Sequence, residues 1–95
     1  MRDHVVLRPL AQRQVLRVPA HIRDKLEGWV LAVHLQGLDA VRRVPGYHDE
    51  PLRGTRKGQR SIRLSRSYRA IYTMDDSAPG GVRIVAVEEV SKHDY

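Results

Sequence analysis

Residues 60–72 read Arg-Ser-Ile-Arg-Leu-Ser-Arg-Ser-Tyr-Arg-Ala-Ile-Tyr, which predicts two short strands joined by a tight Ser-Arg-Ser turn. Side chains alternate between the two faces of a strand, so Ile62 lies on one face and Arg63 on the other. A three-residue turn then places Ile62 opposite Ala70 and Arg63 opposite Arg69. A slip of one residue would set apolar side chains against charged ones, so the pattern favours this register.

The pairing of Arg63 with Arg69 points to an anionic ligand. Two arginines directly opposite each other on neighbouring strands repel, at a cost of roughly 0.2–1 kcal/mol. An anion between the two guanidinium groups removes that repulsion, because each group then donates charge-assisted hydrogen bonds. The sequence therefore predicts a positively charged floor on one face of the hairpin, directed at a phosphate or at neighbouring carboxylates.

Length and composition limit the classes of function. The 95 residues are enough for one domain, residues 1–95, but too few for a large buried cavity, so function is expected on a surface or in a shallow groove. Lysine and arginine number 17 against 11 acidic residues, a net charge of +6. That balance suits a polyanionic partner, with RNA or DNA first and an anionic membrane second.

Two features that the sequence lacks exclude further classes of site and of cellular location. The chain has no cysteine, which excludes disulfides, thiolate metal sites and cysteine nucleophiles, and fits a reducing cytoplasm. No stretch approaches the roughly 18 apolar residues of a membrane span, and none has the pattern of a secretion signal. We expect a cytoplasmic protein without a membrane partner.

Hydrophobic periodicity predicts the remaining elements. The longest predicted helix has an apolar stripe of helical period, ends or bends at Gly37 and can continue for another turn or two to residue 43. The residues of the stripe are Ile22, Leu26, Trp29, Val30 and Val33. The other expected elements are a first strand at residues 3–7, a short helix at 10–16, a loop at 47–59 and a last strand at 82–90.

This order of elements predicts an α+β fold. Helices that precede an antiparallel meander pack their apolar stripes against one face of the sheet. We therefore expect the N-terminal strand and the helices to pack on one face of a small antiparallel sheet. The opposite face carries Arg63 and Arg69.

Side chains suited to RNA cleavage are spread along the chain. The spacing of the five histidines does not favour a metal site. Glu50, Arg63 and Arg69, together with His93 and Tyr95, offer a carboxylate, two cations, an imidazole and a phenol. These groups can move protons and stabilise the charge of a phosphorane without a metal or other cofactor. The alternative for residues 93–95 is a disordered tail, and that for the basic loop at 53–60 is a solvated charge run.

Four motifs together resemble the RelE/ParE toxin superfamily, and its RelE, YoeB and HigB-like members in particular. They are Gly-Tyr-His-Asp-Glu-Pro-Leu-Arg-Gly at 46–54, Arg-Lys-Gly-Gln-Arg-Ser-Ile-Arg-Leu at 56–64, Tyr-Arg-Ala-Ile-Tyr at 68–72, and His-Asp-Tyr at 93–95. The similarity extends over nearly the whole chain and is strongest from residue 46 onward. It implies a RelE-like fold.

The resemblance also implies an activity and partners. It implies the toxin of a type II toxin–antitoxin pair, a ribosome-dependent endoribonuclease that cleaves mRNA without a metal and so inhibits translation. A cognate antitoxin, often with a helix-turn-helix DNA-binding part, would neutralise it. The alternatives are a ParE-like toxin directed at gyrase and a non-catalytic basic module that binds RNA or an antitoxin. The set of acid, histidine and tyrosine favours the ribonuclease.

Carried over residue by residue, the resemblance implies roles at four positions. Glu50 matches the general base, Arg69 the group that stabilises the transition state, His93 the proton donor and Tyr95 the group that stacks on a base. Asp94 separates His93 from Tyr95, whereas these two residues are adjacent in YoeB, so the division of base and acid between Glu50 and His93 stays open. The basic residues expected at the RNA are Arg53, Arg56, Lys57, Arg60, Arg63 and Lys92.

Overall fold

The structure, a computed structural model that describes residues 2–92, is a five-stranded sheet with helices packed on one face. The strands are β1 (Arg2–Leu7), β2 (Glu50–Pro51), β3 (Arg60–Arg63), β4 (Tyr68–Asp75) and β5 (Val82–Lys92). The helices are α1 (Pro9–Val15), α2 (Ala20–Gln36) and α3 (Leu38–Val41), and single 3-10 turns lie at Pro45–Tyr47 and Gly54–Arg56. The strand order is β1-β5-β4-β3-β2. The predicted α+β class is confirmed.

Helix α2 forms where the apolar stripe predicts it. Pro19 is its N-cap residue and Gly37 ends it with φ +87°, a conformation that glycine adopts without steric cost. Four residues of the stripe are buried, whereas Val30 is half-buried. None of the helices in residues 2–92 has the length and apolar character needed to cross a membrane.

The core lies between α2 and one face of the sheet. Trp29 of α2 and Tyr72 of β4 are both fully buried, and their ring centroids are 5.3 Å apart. Ile62 and Ala70 lie beside Tyr72 on the same face of the sheet and are also fully buried. Burial of each large apolar side chain contributes about 1.5–3 kcal/mol, so this layer holds the helix on the sheet. The opposite face, called here the open face, is not covered by the described helices.

The hairpin of β3 and β4 has the predicted register. Ile62 pairs with Ala70 and Arg63 pairs with Arg69. The turn is closed by the hydroxyl oxygen of Ser65, which accepts hydrogen bonds from the backbone N–H groups of residues 67 and 68, each at 3.1 Å. Because Ile62 and Ala70 face the core, both arginines lie on the open face, as predicted.

Two features of the sheet differ from the prediction. The sheet is mixed rather than wholly antiparallel, because β1 runs parallel to β5, with Val5 beside Val85. The expected loop at 47–59 contains β2, in which Glu50 pairs with Ser61 of β3. Proline and glycine in this segment suggest a loop, but a proline can lie in a short strand at the edge of a sheet.

A buried carboxylate joins the first strand to the rest of the fold. Asp3 of β1 accepts two hydrogen bonds from Arg83 of β5, from Nε at 2.6 Å and from Nη2 at 3.2 Å. It also accepts one from the backbone N–H of Leu38, at 2.7 Å, where α3 begins. Burial alone would raise the pKa of Asp3, but the hydrogen bonds from Arg83 and Leu38 and the charge of Arg83 outweigh it and hold the pKa below 3.8.

We expect Arg63→Gln to stabilise the fold at low ionic strength, because it removes the repulsion between Arg63 and Arg69. A cross-strand like-charge pair costs roughly 0.2–1 kcal/mol, which corresponds to an increase in Tm of about 1–6 °C in a domain of this size. The gain should shrink as salt screens the pair. Thermal unfolding followed by circular dichroism at two salt concentrations measures the effect. Arg53→Gln, which removes an exposed arginine outside the pair, is the control, and a lower Tm for Arg63→Gln at low salt would contradict the account.

We expect Asp3→Asn to lower the free energy of unfolding at pH 7 by about 2 kcal/mol, since it removes a charge-assisted pair and weakens a helix cap. A carboxyl whose pKa is depressed in the folded state stabilises the fold above its unfolded pKa, near 3.8 here, and loses that contribution as the pH falls through the lower folded value. The difference between wild type and variant should therefore narrow below about pH 4.

The measurement for Asp3→Asn is denaturant unfolding at a series of pH values from 7 to 3. Asp24→Asn is the matched control, because Asp24 is exposed on α2. Equal stability of Asp3→Asn and the control at pH 7 would show that the contacts of Asp3 do not hold β1 in place.

Candidate active site

A shallow cleft of about 40 Å³ lies on the open face, where β2, β3 and β4 come together. Its lining consists mainly of charged and polar side chains: His48, Glu50, Ser61, Arg63, Ser65, Arg66, Tyr68 and Arg69. A cleft of this depth cannot enclose a nucleotide. A ligand must therefore lie across it and place one small charged group inside.

Strand pairing brings the charged groups of the cleft together. Glu50 pairs with Ser61, and Ser61 shares a face of β3 with Arg63 because the two are separated by one residue. Arg63 in turn pairs with Arg69 of β4. Three strands therefore place one carboxylate and two guanidinium groups on the same face, and Arg66 from the hairpin turn adds a third guanidinium group to the lining.

The cleft is electropositive and contains an unsatisfied donor. The Nε atom of Arg69 is buried, and within residues 2–92 it has no hydrogen-bond partner. A buried N–H of a charged group is costly to leave unpaired, and an oxygen of an anion is the partner that suits it. The predicted positive floor is therefore present, with Arg69 as its most buried cationic member.

A buried aspartate fixes the segment that carries Glu50. The side chain of Asp49 is 1% exposed, and its carboxylate accepts hydrogen bonds from Nε of Arg60, at 2.6 Å, and from the hydroxyl of Tyr72. Burial, together with the hydrogen bond to Asp49 and its negative charge, raises the pKa of Tyr72 far above its ordinary value. Tyr72 therefore stays protonated as the donor in this pair.

The structure brings together three of the predicted site residues, Glu50, Arg63 and Arg69. It does not bring Arg60 to the cleft. Arg60 shares the core face of β3 with Ile62, and its side chain, 17% exposed, is held by Asp49. This contact gives Arg60 a structural role, and its contribution to RNA binding stays a prediction.

The other predicted RNA-binding residues lie outside the lining of the cleft. Arg56 forms an ion pair with Glu89 of β5 at 2.8 Å and also donates to Gln59 at 3.1 Å. Arg53 and Lys57 are exposed between β2 and β3, and Lys92 is exposed at the end of β5. Their contribution to RNA binding stays a prediction.

His93 and Tyr95 lie outside the described residues, so their roles also stay predictions. Within residues 2–92, no three histidine, aspartate or glutamate side chains converge into a group that could hold a metal ion.

Sequence reasoning missed two residues of this region, His48 and Asp49. His48 lines the cleft beside Glu50, and Asp49 is the buried anchor between them. The motif at 46–54 contains both residues next to Glu50, but strand alternation could not have placed them, because β2 begins only at Glu50 and His48 has a positive φ.

Comparison with known proteins identifies the fold. No family model matches the chain, and no curated protein is significantly similar to it in sequence. Solved structures do match. The YoeB/ParE toxin from Agrobacterium tumefaciens has a TM-score of 0.68 and 19% identity, over 99% of this chain and 100% of that one. YafQ from E. coli has a TM-score of 0.71 and 18% identity, over 97% of this chain and 94% of that one.

A third match is the RelBE2 toxin–antitoxin complex from Mycobacterium tuberculosis. It has a TM-score of 0.60 and 20% identity, over 98% of this chain and 100% of the matched chain. At these identities the likeness concerns the fold, and it extends over essentially the full length of both partners. The chain therefore has the RelE-like fold shared by the YoeB, YafQ and RelE toxins.

Proposed function

We propose that the protein is the toxin of a type II toxin–antitoxin system and an endoribonuclease that cleaves mRNA on the ribosome. The observation that carries the proposal is the cleft on the open face, where the Glu50 carboxylate lies among arginines and the buried Nε of Arg69 has no hydrogen-bond partner within residues 2–92. A carboxylate and guanidinium groups are what a 2′-hydroxyl attack on a phosphodiester requires. The RelE-like fold adds support.

The chemistry follows from these groups. Glu50 removes the proton of the 2′-hydroxyl, and the 2′-oxygen attacks the adjacent phosphorus. Arg69 and Arg63 donate to the non-bridging oxygens, whose negative charge grows in the phosphorane. The bond from phosphorus to the 5′-oxygen then breaks, and an imidazole protonates the leaving oxygen. By resemblance that imidazole is His93. The products are a 2′,3′-cyclic phosphate and a 5′-hydroxyl, and only side chains transfer protons.

Charge and shape support a large RNA partner. The net charge of +6 favours association with ribosomal RNA through backbone phosphates. Because the cleft is shallow, a flexible free RNA gains few contacts there, whereas the ribosome can hold the mRNA across it. Arg53 and Lys57, which follow the candidate base in the sequence, are exposed and suited to phosphate contacts. Such a protein acts in the cytoplasm, where translation takes place.

A cognate antitoxin is the second proposed partner. One matched structure is described as a toxin–antitoxin complex. Large apolar side chains are also exposed on the helical side, with Leu16, the C-cap residue of α1, 77% exposed and Leu31 of α2 58% exposed. Apolar surface of this kind is typically covered by a protein partner. We expect that partner to carry a helix-turn-helix part that binds DNA.

A gyrase-directed toxin is the alternative, because one of the matched structures is described as a YoeB/ParE toxin. The two activities differ in what they damage. Growth arrest with intact mRNA and inhibited supercoiling would support the gyrase toxin, whereas cut mRNA supports the ribonuclease.

We expect Glu50→Gln to reduce mRNA cleavage by about 10²–10⁴-fold, because the amide cannot accept the proton. Arg69→Gln should reduce it by about 10²–10³-fold, because a charged donor to the phosphorane is lost. The measurement is the rate of appearance of new 5′ ends on a defined mRNA in a purified translation system. Glu27→Gln, which changes an exposed carboxylate on α2, is the matched control. Wild-type protein that leaves the mRNA intact would refute the proposed activity, and full activity of Glu50→Gln would refute the assigned base.

A further inference from the structure

His48 has an unusual backbone conformation beside the cleft. Its φ and ψ are both 47°, in the left-handed region, and it is the only non-glycine residue with a positive φ within residues 2–92. That conformation costs most residues about 1–2 kcal/mol, although histidine, asparagine and aspartate adopt it more readily than others. Strained residues of this kind concentrate at functional sites, where the surrounding structure holds them in place.

The surrounding structure does hold His48 on both sides. Its backbone N–H donates to the carbonyl oxygen of Pro45 at 3.1 Å, which closes the 3-10 turn before it. The next residue, Asp49, is fixed under the sheet by Arg60 and Tyr72. The chain therefore cannot relax at His48 without breaking the buried contacts of Asp49.

The anchored aspartate determines where its two neighbours lie. The Asp49 side chain lies on the core face, whereas its two neighbours in the sequence, His48 and Glu50, both line the cleft. An imidazole and a carboxylate from one tripeptide thus lie at the site that contains Arg63 and Arg69. No described contact engages the side chain of His48 or of Glu50 within residues 2–92, so both are available to a ligand.

We propose that His48 is the proton donor to the 5′-oxygen, paired with Glu50 as the base. The inference rests on the proposed ribonuclease function and adds a catalytic residue to it. Glu50 takes the proton of the 2′-hydroxyl as the bond from the 2′-oxygen to phosphorus forms. His48, as imidazolium, gives its proton to the 5′-oxygen as the bond from phosphorus to that oxygen breaks. Both protons are accounted for, and the resting state returns when Glu50 and His48 exchange protons with water.

Histidine suits this role because its side chain changes charge near neutral pH. The charged or titratable groups that share the cleft with His48 are Glu50, Arg63, Arg66, Tyr68 and Arg69. A phosphate bound among these guanidinium groups lies beside an imidazole that can donate a proton.

A modified substrate tests the proposal directly. The mRNA carries one linkage in which sulfur replaces the bridging 5′-oxygen, a leaving group that departs as a thiolate and needs no proton donor. His48→Asn is the variant of choice, because asparagine tolerates the left-handed conformation and cannot act as an acid at neutral pH. We expect it to cleave ordinary mRNA at least 100-fold more slowly than wild type, and to approach the wild-type rate at the sulfur linkage.

Three controls make the outcomes distinct. His21→Asn, at an exposed histidine of α2, should behave as wild type on both substrates. Glu50→Gln should stay slow on both, because the loss of a base is not repaired by a better leaving group. His93→Gln tests the rival assignment. A thermal melt of each variant confirms that it is folded.

Each outcome decides the question. If His48→Asn cleaves ordinary mRNA at the wild-type rate, or is slow on both substrates while folded, His48 is not the acid. If His93→Gln alone recovers at the sulfur linkage, the acid is His93. Both of these results leave the ribonuclease function standing. If wild-type protein cuts neither substrate, the proposed function itself fails.

Discussion

The side chain of Tyr72 belongs at once to the hydrophobic core and to the candidate active site. Its ring is fully buried and packs on Trp29 of α2. Its hydroxyl passes beyond the core to donate to Asp49, directly before Glu50. A buried tyrosine needs a partner for its hydroxyl, and here the partner lies in the segment that must be held in place. The packing of one helix therefore fixes the position of a candidate base on the opposite face of the sheet.

The charged groups of the cleft lower the stability of the fold. Arg63 and Arg69 are paired across two strands, and Arg69 keeps a buried Nε without a partner in the described part of the chain. A sequence selected only for stability would place an acidic or polar residue at one of these positions. For the proposed function, charge of one sign that is fixed before the substrate arrives has an advantage, because it costs no reorganisation during the reaction.

The pattern of apolar and polar residues predicted those elements whose structure is determined by residues close together in the sequence. The register of β3 with β4 follows from alternation across a short turn, and α2 follows from its apolar stripe. The parallel pairing of β1 with β5 could not be predicted in this way, because no local pattern specifies which strand a distant segment joins. Strand β2 was missed since two residues that include Pro51 give no strand signal.

The candidate site was also predictable only in part, because some of its residues are brought together only by the fold. The resemblance to known toxins marked Glu50, Arg63 and Arg69, which the structure brings together. Arg60 was predicted at the RNA from its charge alone, without regard to its position in the strand. Arg60 and Ile62 are separated by one residue, so alternation already places Arg60 on the core face. Its partner, Asp49, becomes visible only when the fold brings the two together.

The placement of β1 at the edge of the sheet has a consequence for how the protein folds. The sheet neighbour of β1 is β5, and the contact between Asp3 and Arg83 joins residues 80 positions apart. Contacts of such long range form late and slow the folding of a domain. During synthesis β1 emerges before β5, so β1 lacks its partner strand until β5 has been made. The edge of the sheet that β1 forms is therefore completed only after β2, β3 and β4 have all been synthesised.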